Sequence, residues 1–223
     1  MKLVHPEWEK QIVFDFKRVP LVSIENSTYY YQVVEELYQQ TEGKEGAFVL
    51  SDDGEILDFR KHVQLLVSPW TIDFSTTAVT KRLCNRLQEE ANSEQHYMQT
   101  KEVMQHVLSY LQELEQELSI PLTYDWNPDV ANLFKAVHVQ VDTSDLNVME
   151  KMIEYMKLWT ELFGKTCFIF NQFRTYLPKS MRKEFYTCSM EEEIPFLLLE
   201  GACHDTIEEE SCLIIDEDLC QIF

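Results

Sequence analysis

Carboxylates gather around one irregular stretch of the chain. Glu113, Glu115 and Glu117 end a helical run; Asp125, Asn127 and Asp129 follow; Asp142 closes the next extended run. Oxygen ligands of this kind suit a hard cation such as calcium. Asp125-x-Asn127-x-Asp129 opens like a calcium loop, but Val130 stands where that loop needs Gly and Ala136 where it needs Glu. An EF-hand is excluded, and a calcium site of another shape stays open. The plainer reading is a solvated acidic helix end plus an Asp that caps the next helix. It explains the glutamates poorly, because acids at a helix C-terminus oppose the macrodipole unless a cation relieves them.

Cations form the second constellation. Lys81, Arg82 and Arg86 fall within about one and a half helical turns, with 82 and 86 on one face. Arg60 and Lys61 precede them and Lys135 follows. Such a set is either ordinary helix-surface charge or a phosphate-contacting stripe. A stripe without base-edge readers would have little sequence preference.

Nucleotide and catalytic signatures are missing. Gly164-Lys165-Thr166 has the end of a P-loop, but Trp159 stands where the first Gly belongs. The predicted order there is also reversed, helix before strand. At the first strand–helix junction, Ile24-Glu25-Asn26-Ser27-Thr28-Tyr29 has neither Gly nor Lys. No G-x-S-x-G or H-E-x-x-H occurs. His5, His62, His96, His106, His138 and His204 are dispersed and read as surface or core filler. The six cysteines, at 84, 167, 188, 203, 212 and 220, form no C-x-x-C, which argues against zinc and for free, mostly buried thiols.

The elements that must position these residues follow from periodicity. Strands are predicted over 12–16, 21–24, 47–50 and 56–59, with a helix from an Asn26-Ser27-Thr28 cap through Gln40 whose inner face holds Val33, Val34, Leu37 and Tyr38. Residues 60–67 are ambiguous. Two long antiparallel helices fill 72–118, broken at Asn92-Ser93-Glu94. The second carries Met104, Val107, Leu111, Leu114 and Leu118 at coiled-coil spacing, a seam for its own hairpin or for a partner subunit. A short helix over 130–137 and a strand over 138–141 come next. A helix capped by Thr143-Ser144-Asp145 then runs to Gly164, with Met149, Met152, Ile153, Met156, Trp159 and Phe163 inward. A strand over 167–170, a helix with Pro178 in its first turn, and strands over 194–199 and 213–215 complete the chain.

Composition sets the limits. The 223 residues are 45% hydrophobic with only 5 Gly and 7 Pro, so a folded protein is expected. No run approaches the roughly 20 apolar residues of a membrane helix, and the start has no apolar signal core, so a cytoplasmic protein is expected. The net charge of −20 argues against nucleic acid until its distribution is considered. No Lys or Arg follows Lys183, and 12 of the 39 acids do. Residues 60–101 are locally basic.

The order and spacing of several short pieces resemble the accessory adaptation protein of type II-A CRISPR systems, over nearly the whole chain. They are Leu122-Thr123-Tyr124-Asp125, Leu133-Phe134-Lys135, Val139-Gln140-Val141-Asp142 and Met149-Glu150-Lys151, then Lys165 through Asn171, Tyr176-Leu177-Pro178, the 195–200 strand and Ile215 through Cys220. The resemblance implies an α/β fold: a P-loop-ATPase-like head without a nucleotide-binding loop, plus an inserted helical leg. The head would comprise 1–68 and 136–223, and the leg 69–135, with a metal-binding hinge at its C-terminal end. The resemblance implies calcium (Ca2+) held by Asp125 and Asp142, with Glu115 and Glu117. One extra residue within 126–129 leaves Asp129 out of that set.

The same resemblance implies a non-catalytic homotetrameric ring on double-stranded DNA ends, with Lys135, Arg60, Lys61, Lys81, Arg82 and Arg86 facing the DNA. The ring would support spacer acquisition alongside the CRISPR integrase and the guide-RNA nuclease of the same system. An acidic exterior and a basic hole can coexist, since DNA senses the hole. Two rivals are a protein–protein adaptor built on the seam and the acidic tail 184–223, and a diverged P-loop-type nucleotide-binding enzyme.

Overall fold

A computed structural model describes residues 1–118, 120–202 and 206–223; Cys203 and His204 lie outside the described residues. The chain divides into two compact units. Met1–Ile72 with Thr143–Phe223 make an α/β unit, and Asp73–Asp142 make a helical one.

The α/β unit is built on ten strands: β1 (Lys2–Val4), β2 (Ile12–Val13), β3 (Val19–Ile24), β4 (Val49–Asp52), β5 (Glu55–Ile56), β6 (Val63–Leu66), β7 (Cys167–Asn171), β8 (Phe196–Glu200), β9 (Glu210–Ile215) and β10 (Gln221–Ile222). β2-β1-β4-β5 form a small antiparallel sheet. The main sheet has the order β10-β9-β3-β8-β7-β6, parallel except for β10. A parallel sheet needs cover on both faces, and its strands are accordingly apolar throughout. Leu197 and Leu199 join Val22, Ile24 and Ile169 in the core beneath α1 (Ser27–Thr41). Phe196 faces the other way, against Phe185, Tyr186 and Phe170. The helices of the α/β unit besides α1 are α2 (Phe59–His62), α6 (Val148–Phe163) and α7 (Lys179–Glu191).

Pro20 sits inside β3, a central strand, where proline is normally excluded. Register explains it. The Val19 N–H bonds the Glu209 carbonyl on the β9 side, so the missing N–H of Pro20 falls on the β8 side. Pairing with β8 starts only at Leu21.

Asn26 caps α1, its side chain accepting from the Tyr29 N–H, and it also donates to the Glu217 carbonyl. Tyr29, Val33, Leu37 and Gln40 are the buried residues of α1, whereas Tyr38, predicted inward, is exposed. The predicted strand over 56–59 ends at Ile56, because the Asp58 side chain caps α2 by accepting from the Arg60 N–H. The ambiguous 60–67 run resolves into the end of α2 and β6. The long helix α6 is capped by Asn147, not by 143–145. Asn147 and Glu150 form a reciprocal capping box that satisfies more orphan donors than the Thr143–Leu146 turn can. Five of the six cysteines are described and none of the five is in a disulfide; only Cys84 and Cys167 are fully buried, fewer than predicted. His5 is core filler against Trp8 and Phe48.

The α7 face of the sheet hides a charged network. Arg174 bonds both carboxylate oxygens of Glu210, at 3.0 and 2.7 Å, and the side chain of Glu210 is fully buried. Tyr186 OH and the Ile207 N–H also donate to Glu210. Glu200, buried at the end of β8, accepts from the Arg174 N–H. Burial pushes Glu200 up to about 7, against the opposing pull of Arg174 and Arg182.

This network makes stability sensitive to both mutation and pH. Arg174→Met strands the buried Glu210 charge and is expected to cost about 3–5 kcal/mol in urea unfolding. A cost within experimental error would show that the pair does not hold this face together. Glu200 binds its proton more tightly folded than unfolded, so its contribution to wild-type stability falls as pH rises from about 4.5 to about 7 and then levels. Glu200→Gln keeps the acceptor for Arg174 and removes that slope. The variant should therefore gain up to about 3 kcal/mol on wild type at pH 8, and little at pH 4. Parallel stability curves for the two proteins across that range would contradict the assignment.

Candidate nucleic-acid interface and metal-ligand residues

The helical unit contains α3 (Thr77–Ala91), α4 (Tyr97–Gln116) and α5 (Val130–Ala136). Thr76 caps α3 through the Val79 N–H. Val79 and Cys84 are buried, with Leu83 and Leu87 half-buried beside them. On a helix this inward arc leaves positions 81, 82 and 86 on the outside, and all three side chains are exposed. Arg86 pairs with Glu89 at 3.3 Å. α5 packs on α3, buries Val130 and Ala131, and carries exposed Lys135 in its last turn. Its cap, Asp129, accepts from the Ala131 N–H and from Gln88 Nε2 at 2.8 Å, which ties α5 to α3. Four of the predicted cations thus stand on two packed helices of one unit. Arg60 and Lys61 belong to the other unit, on α2. Lys61 pairs with exposed Asp58, and the Arg60 side chain lies along Gly43.

The strand predicted over 138–141 does not form. His138 takes a left-handed conformation, φ 53°, and the 138 and 139 N–H groups turn back to the Lys135 and Phe134 carbonyls. The end of α5 captures the donors that a strand would have needed.

The predicted metal ligands are distributed along this unit. Glu115 is half-buried and accepts from the Leu122 N–H (2.8 Å) and from Tyr124 OH (3.3 Å). Burial, then the Glu115 charge, raise the Tyr124 phenol above its ordinary range. Glu117 is exposed at the C-cap of α4. Asp125 is exposed and accepts from the Asn127 N–H at 2.9 Å, and Asp142 is exposed. The donor chemistry fits calcium. The placement does not gather it: no group of three or more His, Cys, Asp or Glu converges on one point among the described residues.

The predicted seam faces outward beyond Met104, which is half-buried. Val107, Leu111, Leu114 and Leu118 are exposed, as are Val103 and Tyr110, and α4 has no fully buried residue. The seam is thus not spent on packing within its own unit.

In the α/β unit, α6 runs into Gly164 (φ 87°) and then β7, so the Gly164-Lys165-Thr166 segment lies helix-to-strand. Lys165 is held by Asp52 at 2.7 Å. Sequence reasoning misses the Glu200–Arg174–Glu210 network. The signal it offers is an acid ending the otherwise apolar run Phe196-Leu197-Leu198-Leu199.

No helix among the described residues is long and apolar enough to cross a membrane. No curated protein matches the chain. Residues 40–219 match the family described as CRISPR-associated protein (Cas_Csn2), from the end of α1 to the segment after β9. That match spans both units and well over half of the sequence, and the chain belongs to this CRISPR-associated family, the accessory proteins of type II-A systems.

Proposed function

We propose that the protein binds double-stranded DNA ends without sequence preference, as a calcium-stabilised homotetrameric ring. It does no chemistry itself and supports spacer acquisition alongside the integrase and the guide-RNA nuclease of its system, in the cytoplasm. Family membership supplies the pathway. The observation that carries DNA binding is the basic surface of α3 and α5. Lys81, Arg82, Arg86 and Lys135 are exposed there on packed helices of a chain whose net charge is −20. A set of phosphate contacts without base readers gives affinity that is salt-dependent and sequence-tolerant. Four copies multiply weak contacts into retention.

Self-association draws on the α4 seam, whose 3-4 spacing suits a second helix. The same exposed seam favours the second reading, a protein–protein adaptor that needs no DNA. Calcium would be held by Asp125 and Asp142, with Glu115 and Glu117. It supplies positive charge where carboxylates crowd. Glu115 and Asp125 each keep acceptor sites beyond the hydrogen bonds they make to Leu122, Tyr124 and Asn127, so those bonds can orient the carboxylates for the ion.

Linear duplex DNA should be retained and closed-circular duplex of the same sequence should not. Lys135→Glu should weaken retention with the oligomer unchanged. The slope of log affinity against log salt should become shallower by about 0.9 for each phosphate that is no longer neutralised. Equal binding of wild type and variant, or equal retention of circles, would move the function to the adaptor reading. For calcium, light scattering should show an oligomer that strengthens when the ion is added. Asp125→Ala with Asp142→Ala should abolish that response and lower DNA affinity with it. An oligomer indifferent to calcium in the wild type removes the metal from the proposal and leaves the DNA test standing.

A further inference from the structure

Several cations of the α/β unit are paired with its own acids. Lys61 pairs with Asp58, Lys157 with Glu192, Lys165 with Asp52, Arg174 with Glu210 and Lys183 with Glu209. Lys10, Lys17 and Arg18 stand outside these pairs and share one groove. All three are exposed, and among the described residues none of them makes an ion pair with an acid. They line one groove of about 420 Å³ between β2 and the first half of β9. Its floor is apolar, from Ile12, Pro20 and Leu213. Asp15 is the one acid on its wall, and that carboxylate is turned to the Lys17 N–H at 3.1 Å.

The fold holds these cations in place. Gln221 of β10 clamps the segment before Lys10 by two hydrogen bonds, accepting from the Glu9 N–H (2.9 Å) and donating to the Glu7 carbonyl (2.7 Å). The chain takes a left-handed turn at Phe16, φ 58°, immediately before Lys17 and Arg18, and then enters β3. Phe223 is not part of the groove's lining, but its exposed ring lies with its centroid 5.4 Å from the Lys10 ammonium. Three uncompensated cations, an apolar floor and an exposed aromatic ring match the parts of a nucleotide. Phosphates take the charges and a base takes the ring. The volume falls within the range of small-molecule sites and is far too small for a duplex.

We propose that this groove is a nucleotide-phosphate site, in which Lys10, Lys17 and Arg18 hold the phosphates and Phe223 stacks the base. It stands apart from the duplex-binding reading, which uses α3 and α5. The nucleotide could come from two sources, a free nucleoside triphosphate or the 5′-phosphorylated end of a strand.

Calorimetry on the full-length protein at physiological salt decides it, with ATP, 5′-phosphorylated dithymidine and inorganic tripolyphosphate as probes. ATP or the dinucleotide should bind, and the stronger of the two names the source. Lys10→Ala/Lys17→Ala/Arg18→Ala should lose at least about tenfold in affinity. Phe223→Ala should lose about fivefold or more for the same nucleotide and nothing for tripolyphosphate. All four side chains are exposed, so melting temperatures should stay at the wild-type value, and duplex retention should survive. No nucleotide binding, or binding that the triple variant leaves intact, overturns the site. Tripolyphosphate binding as well as ATP, with a silent Phe223→Ala, overturns the nucleotide assignment.

Discussion

The α/β unit rests on the pairing of β3 with β8 and β9. β3 lies near residue 20, and its two neighbours lie near residues 198 and 213. Parallel strands cannot be joined by a tight turn, so their pairing closes very long loops before it is rewarded. Once made, it fixes both faces of the sheet, and each face finds its cover locally. α1 follows β3 directly, and α7 precedes β8 directly. The helical unit, residues 73–142, falls within both of these loops, in the connection between β6 and β7. Loop-closure cost grows only slowly with length, so an inserted unit of this size is tolerated where the sheet is otherwise complete.

Charge is arranged by depth as well as by sequence. The buried Arg174–Glu210 pair is desolvated on both sides, and Tyr186 OH and a backbone N–H satisfy the remaining carboxylate valence. That satisfaction is what makes a buried pair tolerable. Glu200 lies beside the same arginine without such a bidentate partner, and its raised proton affinity is the consequence of burial. At the surface, acids of the α/β unit pair with Lys61, Lys157, Lys165 and Lys183, whereas Lys10, Lys17 and Arg18 share one groove without such a pair. In the helical unit the exposed cations gather on α3 and α5 instead. In a chain of net charge −20, these are two places that present several cations to an external anion.

How much of this is legible in the sequence depends on whether the signal is local. α1, α3, α4 and α6 are readable because each has a long helical pattern, and α1 also has a cap written at its predicted start. The apolar runs at β7 and β8 announce a covered parallel sheet. The failures lie where a short side chain or a backbone turn decides locally. Asp58 converts a strand into a turn of helix, and a left-handed His138 removes a strand altogether. The capping box moves the start of α6 because two side chains act together there. Of the candidate site, the grouping of Lys81, Arg82 and Arg86 is legible from helix spacing. That Lys135 stands on a helix packed against theirs depends on the α5–α3 contact, which no spacing rule contains. The groove at Lys10, Lys17 and Arg18 joins residues near 15 with residues near 212, and only the sheet brings them together.

The α4 seam and the carboxylates near its end pose one physical problem. A helix of 20 residues with no buried position gains little from its own unit. Its apolar stripe is stabilised only when something covers it. If the cover is a second copy, each added chain brings another 20 negative charges, and association must work against them. Glu113, Glu115 and Glu117 lie beside Leu111, Leu114 and Leu118, so the repulsion is strongest beside the apolar contact that would oppose it. A divalent cation at these carboxylates removes charge at that place. It would therefore raise association even if it touched no second subunit, because binding and assembly share one free energy. In the proposed ring, calcium dependence and self-association are thus two readings of a single linked equilibrium.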